Sequence, residues 1–160
     1  MAELPPEERE RAGRFLSEQA ASRWVASRWA LRRVLGEYLE VAPAAVGLEI
    51  ADGGKPRLAG GAGPQFNLSH SQGLALVAVA GREVGIDVER VRPKRPATFY
   101  AAWTRHEARL KCLGSGLGVT PAAGGSVAVR SLDVAPGYAA AVAVAGSEVG
   151  KVDCRPVPAG

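Results

Sequence analysis

Apolar side chains fall at Phe15, Leu16, Trp24, Val25, Trp29, Leu31, Val34, Leu35 and Leu39, returning to one face every three or four residues. That period predicts one long helix over residues 9–39, weakened or bent near its end by Gly36. The ten residues that open the chain, with four Glu and two Pro, predict a frayed or capping segment ahead of it. Residues 42–64 turn to Gly, Pro and Ala, with a short strand expected at 46–51 and a turn at Asp52-Gly53-Gly54. Two runs rich in Val, Leu and Ile, Leu74–Ala80 and residues 84–88, flank Gly81-Arg82-Glu83 and predict a two-stranded hairpin. A second hairpin is expected from Tyr138–Ala145 and residues 149–152.

These two hairpins share a sequence. ALVAVAGREVGIDVER, from Ala75, lies over AAVAVAGSEVGKVDCR, from Ala140, at a constant offset of 65 with ten of sixteen positions identical. The helices repeat too: Trp24, Arg28, Leu31 and Arg32 share their spacing with Trp103, Glu107, Leu110 and Lys111, and each set precedes a Leu-Gly pair. Two copies of helix followed by hairpin predict an α+β fold of two similar halves, about 11–90 and 98–157, within a single domain spanning 1–160. The halves are expected to be related by a pseudo-two-fold, with a ligand cleft at their junction. Matched positions differ in chemistry, since Arg28 answers Glu107, while Val152 and Cys154 answer Asp87 and Glu89.

Composition narrows the class. At 160 residues, with 47% hydrophobic and 22% charged side chains, the chain is long enough for a core that needs no metal or disulfide staple. No apolar run approaches the ~20 residues that span a bilayer, and the charged opening is unlike a secretory signal, so a cytoplasmic protein without membrane contact is expected. Cys112 and Cys154 lack metal-ligand spacing and read as ordinary thiols. A net charge of +4 favours an anionic partner. Nucleic acid is disfavoured, because aromatics are only 6% and the Trp residues sit at helical core spacing, leaving no stacking platform.

Several residue sets carry chemistry. Asp87 and Glu89, two apart in a strand, send carboxylates from one face, an arrangement suited to Mg2+ or equally to a solvated strand end. Trp103, Glu107 and Lys111 fall four apart on one helix face, where Glu107 could complete a metal site or act as base and Lys111 could meet a phosphate; a surface ion pair is the plainer reading. In Phe66-Asn67-Leu68-Ser69-His70-Ser71, adjacent Ser69 and His70 point to opposite faces, which argues against a Ser69-His70-Asp87 hydrolase triad. Gly114-Ser115-Gly116-Leu117-Gly118 follows a helix and reads as its stop. Arg23, Arg28, Arg32 and Arg33, with Lys55 of Gly54-Lys55-Pro56, offer cations for a terminal phosphate or a solvated helix face. Arg90, Arg92, Lys94 and Arg95 form a basic loop.

In their order, Gly54-Lys55-Pro56, Phe66 to Ser71, Gly85-Ile86-Asp87-Val88-Glu89, Trp103-Thr104-Arg105-His106-Glu107-Ala108-Arg109-Leu110-Lys111 and Gly114-Ser115-Gly116-Leu117 closely resemble the 4′-phosphopantetheinyl transferase superfamily. The likeness is to the pseudo-dimeric type that activates nonribosomal peptide and polyketide synthases, and it runs over residues 11–145. It implies a duplicated fold and transfer of the phosphopantetheine arm of coenzyme A to a serine of an apo carrier protein, releasing adenosine 3′,5′-bisphosphate. It implies that Asp87, Glu89 and Glu107 hold Mg2+, with Mn2+ also suited to the same oxygens. It makes Glu107 the base and Lys111 the stabiliser of phosphate charge. Ser69 and His70 would contact coenzyme A phosphates, while Lys55, Pro56, Arg28 and Arg32 would frame its adenosine 3′-phosphate end.

Three departures from the family pattern stand out. Residues 96–100 join the acidic strand to the Trp103 helix where a longer, carrier-docking segment is usual. No strand precedes the first helix, and His106 stands where lysine is commoner. The alternative reading is a shortened, non-catalytic homologue that binds coenzyme A or a carrier protein. An internal pseudo-dimer makes a monomer sufficient.

Overall fold

The computed structural model describes residues 4–50, 54–114 and 125–157. These fall into two compact units, one running to Gly47 and including Pro156, the other Leu48–Arg155. The first unit is helical. Helix α1, Pro6–Gly13, starts with proline, which has no N–H to leave unpaired there, and carries Glu7 and Glu8 in its first turn. Helix α2, Glu18–Leu39, is capped by Ser17, whose Oγ accepts the Ala20 N–H at 3.4 Å. One continuous helix over 9–39 was expected, and the capped break at residues 14–17 divides it; the apolar period alone hid the polar cap.

The opening segment also differs from the expected frayed end, since it is α1 and buries Glu8. Leu31 and Leu35 of α2 are fully buried, as their spacing predicts, whereas Leu16, in the break, is exposed. Gly36 does not end the helix. It lets the returning chain pass, because a Cβ there would stand 2.8 Å from the Val41 carbonyl oxygen. The helix ends at Glu40, in the left-handed region at φ 56°, before a 3-10 turn at Pro43–Ala45.

The second unit holds seven strands and one helix. Strands β1, Leu48–Ile50, and β2, Pro56–Leu58, pair antiparallel within the loop-rich stretch. Strand β3, Gln65–Ser71, pairs along its length with β4, Leu74–Ala80. Strands β5, Val84–Arg90, and β6, Val127–Leu132, flank β7, Tyr138–Ala145, in a three-stranded antiparallel sheet of order β5-β7-β6. Helix α3, Ala97–Cys112, precedes β6. The mixed α+β class is as expected.

Strand partners differ from expectation. Leu74–Ala80 and the strand beginning at Val84 do not form a hairpin with each other; β4 pairs with β3, and β5 crosses to β7, with Asp87 opposite Ala141. Residues 149–152 form no strand: Gly150 adopts φ 69°, in the left-handed region, although Val149 and Gly150 still match Val84 and Gly85 of the repeat. Each repeated VAVA run is instead the second strand of a hairpin whose first strand, β3 or β6, carried no strong apolar signal.

Alternation gives the three-stranded sheet two unlike faces. On one, Ala141 and Ala143 of β7 pack against Ala108 and Cys112 of α3, with Val127, Val129 and Ala145 around them. On the other, Val84, Val142 and Val144 pack with Ala78, Ala80 and Leu132. The helix lies so close to β5 that a Cβ at Gly85 would run into backbone atoms of Ala108, Lys111 and Cys112. Glycine inside a strand is the sequence signal of such an approach. Asp87 and Glu89 follow Gly85 at period two and leave β5 on this helix-facing side. No helix among the described residues is long and apolar enough to cross a membrane.

Candidate functional site

Three elements meet at the site: β5 supplies Asp87 and Glu89, α3 supplies Glu107 and Lys111, and β3 supplies Asn67, Ser69 and Ser71. Asp87 is only 4% exposed. Its Oδ1 accepts from Lys111 Nζ at 2.5 Å and from Ser69 Oγ at 3.0 Å. Lys111 Nζ also donates to Ser69 Oγ and to the Ile86 carbonyl, each at 3.2 Å. Oδ2 of the same aspartate is buried with no hydrogen-bond partner, and so is Oε1 of Glu107 on α3. A buried carboxylate oxygen without a donor costs more than the ordinary buried polar atom, so each marks a position open to a further partner.

β3 borders β5 through side chains. Asn67 Oδ1 accepts the Ile86 N–H at 2.9 Å, Ser69 Oγ the Val88 N–H at 3.3 Å, and Ser71 Oγ the Arg90 N–H at 3.1 Å. Ser71 Oγ then donates to Glu89 Oε2 at 3.0 Å. Asn67 and Ser71 were not singled out as site residues from the sequence. The signal was present, since small polar residues recur at positions 67, 69 and 71 on one strand face. Ser69 is buried and His70 exposed, on opposite faces as the alternation predicts.

Lys55 lies at the other end of β5. Its Nζ pairs with Glu83 Oε2 at 3.0 Å and donates to the carbonyls of Val84 and Lys111, each at 3.4 Å, placing positive charge at the C-terminal end of α3. Lys55 and Pro56 line a cavity of about 450 Å3 with Phe66, Glu83, Cys112 and Gly114. Cys112 donates its thiol to the Glu83 carbonyl at 3.3 Å. Burial raises its pKa, against the lowering charge of Lys55, so it stays a thiol. Gly114 closes α3 at φ 69°, as expected of a helix stop; Ser115 to Gly118 lie outside the described residues.

Arg28 and Arg32, the other residues expected at the adenosine 3′-phosphate end, lie on α2. Both belong to the first unit, where Glu8 occupies them: Arg28 pairs with Oε1, and Arg32 Nε donates to Oε2 at 2.8 Å. Arg32, 3% exposed, also donates to the carbonyls of Pro43 and Val46 at 3.1 and 2.8 Å.

Arg92, Lys94 and Arg95 are exposed. Trp103 departs from the expected core placement. It is 42% exposed and stacks on Phe99 at 6.2 Å between centroids, with the Arg95 guanidinium over Phe99 at 4.8 Å.

A family profile described as "4′-phosphopantetheinyl transferase, N-terminal" matches residues 1–83. The 4′-phosphopantetheinyl transferase HetI of Nostoc sp. is 36% identical over 146 residues, covering 72% of this chain and 62% of that protein. A 4′-phosphopantetheinyl transferase of Bacillus subtilis is 26% identical over 141 residues, covering 73% of this chain and 63% of its own length. The L-aminoadipate-semialdehyde dehydrogenase-phosphopantetheinyl transferase of Xenopus laevis is 33% identical over 91 residues, 53% of this chain and 30% of that protein. The matches therefore span under two thirds of these relatives.

Proposed function

This chain belongs to the 4′-phosphopantetheinyl transferase family, and from that premise we propose that it transfers the 4′-phosphopantetheine arm of coenzyme A to a serine of an apo carrier protein, releasing adenosine 3′,5′-bisphosphate. The observation that carries the reading is a pair of buried, unpartnered oxygens, Asp87 Oδ2 and Glu107 Oε1, the first on the carboxylate whose other oxygen pairs with the Lys111 ammonium. Hard anionic oxygens without donors suit Mg2+, which is commonly held by one or two carboxylates and completed by phosphate and water; Mn2+ accepts the same donors. Among the described residues no three His, Cys, Asp or Glu side chains form a ready metal cage. Asp87, Glu89 and Glu107 are the residues that would hold the ion. When bound, it would neutralise charge on the pyrophosphate.

The chain's own groups do the rest. Glu107 accepts the proton of the carrier serine, directly or through a water, as the serine oxygen bonds to phosphorus. The phosphoanhydride P–O bond breaks, and its electron pair leaves with adenosine 3′,5′-bisphosphate. Lys111, 31% exposed at its side chain, reaches the charge that develops there. Ser69 and His70 contact the coenzyme A phosphates from opposite strand faces. The cavity bearing Lys55 and Pro56 takes the adenosine end; Arg28 and Arg32, already occupied by Glu8, are left out of that role. Arg92, Lys94 and Arg95, with the exposed Phe99 and Trp103, offer an acidic carrier helix a basic and apolar surface.

Intact mass of apo carrier proteins after incubation with coenzyme A and Mg2+ tests this. One phosphopantetheine arm is expected on the serine, lost with chelator and lost in Glu107→Ala. A Glu107→Ala protein working at the wild-type rate would sink these assignments. Coenzyme A binding with no transfer on any carrier would favour the shortened, non-catalytic homologue. The short connection of six residues between Arg90 and Ala97 is what favours that reading.

A further inference from the structure

The serines of β3 do two things at once. An N–H can only donate and a carboxylate can only accept, so a hydroxyl between them has one orientation. Ser71 Oγ accepts the Arg90 N–H at 3.1 Å, and its own proton is therefore committed to Glu89 Oε2 at 3.0 Å. Ser69 repeats the arrangement one pleat earlier, between the Val88 N–H and Asp87 Oδ1. Asn67 fills the first rung with an amide oxygen, accepts the Ile86 N–H, and touches no carboxylate.

We infer that Ser71 is a positioning residue for Glu89, locking the rotation of the carboxylate that would serve as a ligand to the divalent ion. The inference rests on the transferase reading above, in which Glu89 helps to hold the ion. Ser69 cannot be separated from Lys111 and Asp87, with which it shares hydrogen bonds, but Ser71 can. The groups around it are Glu89, half-buried, and the backbone of Arg90, which is exposed. Water can therefore satisfy the Arg90 N–H when the hydroxyl is removed, and the fold loses little. Glu89, on a flexible side chain, has no second hydrogen-bond partner among the described residues and loses its orientation. Second-shell groups of this kind tune ion affinity more than stability.

Binding of Mn2+ to the full chain with coenzyme A present, read as loss of the free-ion EPR signal, tests the assignment without turnover. Ser71→Ala is expected to weaken Mn2+ binding about 10-fold while melting with the wild type. Ser71→Thr, which keeps the hydroxyl, is expected to restore it. Asn67→Ala, which removes a rung but no carboxylate contact, is expected to lower the melting temperature and leave Mn2+ affinity near the wild type. Unchanged affinity in Ser71→Ala overturns the assignment, as does equal weakening in Ser71→Thr or Asn67→Ala. A wild-type chain that binds coenzyme A but no Mn2+ overturns the ion reading itself, and the positioning role with it.

Discussion

Glu8 and Asp87 are both buried carboxylates set against cations, one in each compact unit, and the difference between them lies in their second oxygen. Both oxygens of Glu8 are taken, one by Arg28 and one by Arg32, and Arg32 Nη1 donates to two carbonyls besides. Asp87 stacks two donors on Oδ1 and leaves Oδ2 bare. A saturated cluster is finished as it stands and holds helices together. An unsaturated one is finished by a ligand. Charge and burial alone would not have told the two apart.

Breaking the saturated centre is expected to have the largest effect. Glu8→Ala leaves two arginines facing each other without a counter-ion, Arg32 deeply buried, and should lower stability by about 3 kcal/mol in chemical denaturation. Asp87→Asn allocates its cost the other way. It should leave stability within about 1 kcal/mol of the wild type. Transfer, followed by carrier mass, should fall about 100-fold or more. A large loss of stability in Asp87→Asn, or none in Glu8→Ala, would erase the distinction.

The smallest expected effect is in pH. Burial pushes the Glu8 carboxyl up, but hydrogen bonds from Arg32 and Arg28 and their charge outweigh it and hold the pKa below its ordinary value. A carboxyl depressed on folding stabilises the fold at pH above its ordinary value and loses that contribution as pH falls through the folded value. The gap in melting temperature between wild type and Glu8→Gln should therefore narrow as the pH is lowered from about 7 towards about 3. A constant gap would mean that Glu8 acts through packing alone.

Much of the site was legible because its signals are local. Glu107 and Lys111 share a helix face through spacing, and Asp87 and Glu89 share a strand face through alternation. What could not be read was pairing. β5 finds β7 across more than fifty residues, and nothing near Gly81-Arg82-Glu83 distinguishes a crossing from a hairpin turn. Burial was not legible from charge: the opening segment was expected to fray or cap, yet its Glu8 is the buried counter-ion of Arg28 and Arg32. The polar alternation of Asn67, Ser69 and Ser71 was visible, but its meaning depended on β5 lying alongside.

Gly85, Ala141 and Ala143 together form the floor on which α3 rests. They carry no reactive group, yet their smallness sets how far Glu107 on the helix stands from Asp87 and Glu89 on the strand. For a lineage under selection, this inverts the usual order of constraint. A descendant that abandoned the reaction would be free to let its carboxylates drift, but would still have to keep these near-empty positions for as long as the helix lay on the sheet. Retained acids above a retained floor are thus the mark of an inherited activity, and a retained floor alone is the mark of an inherited shape.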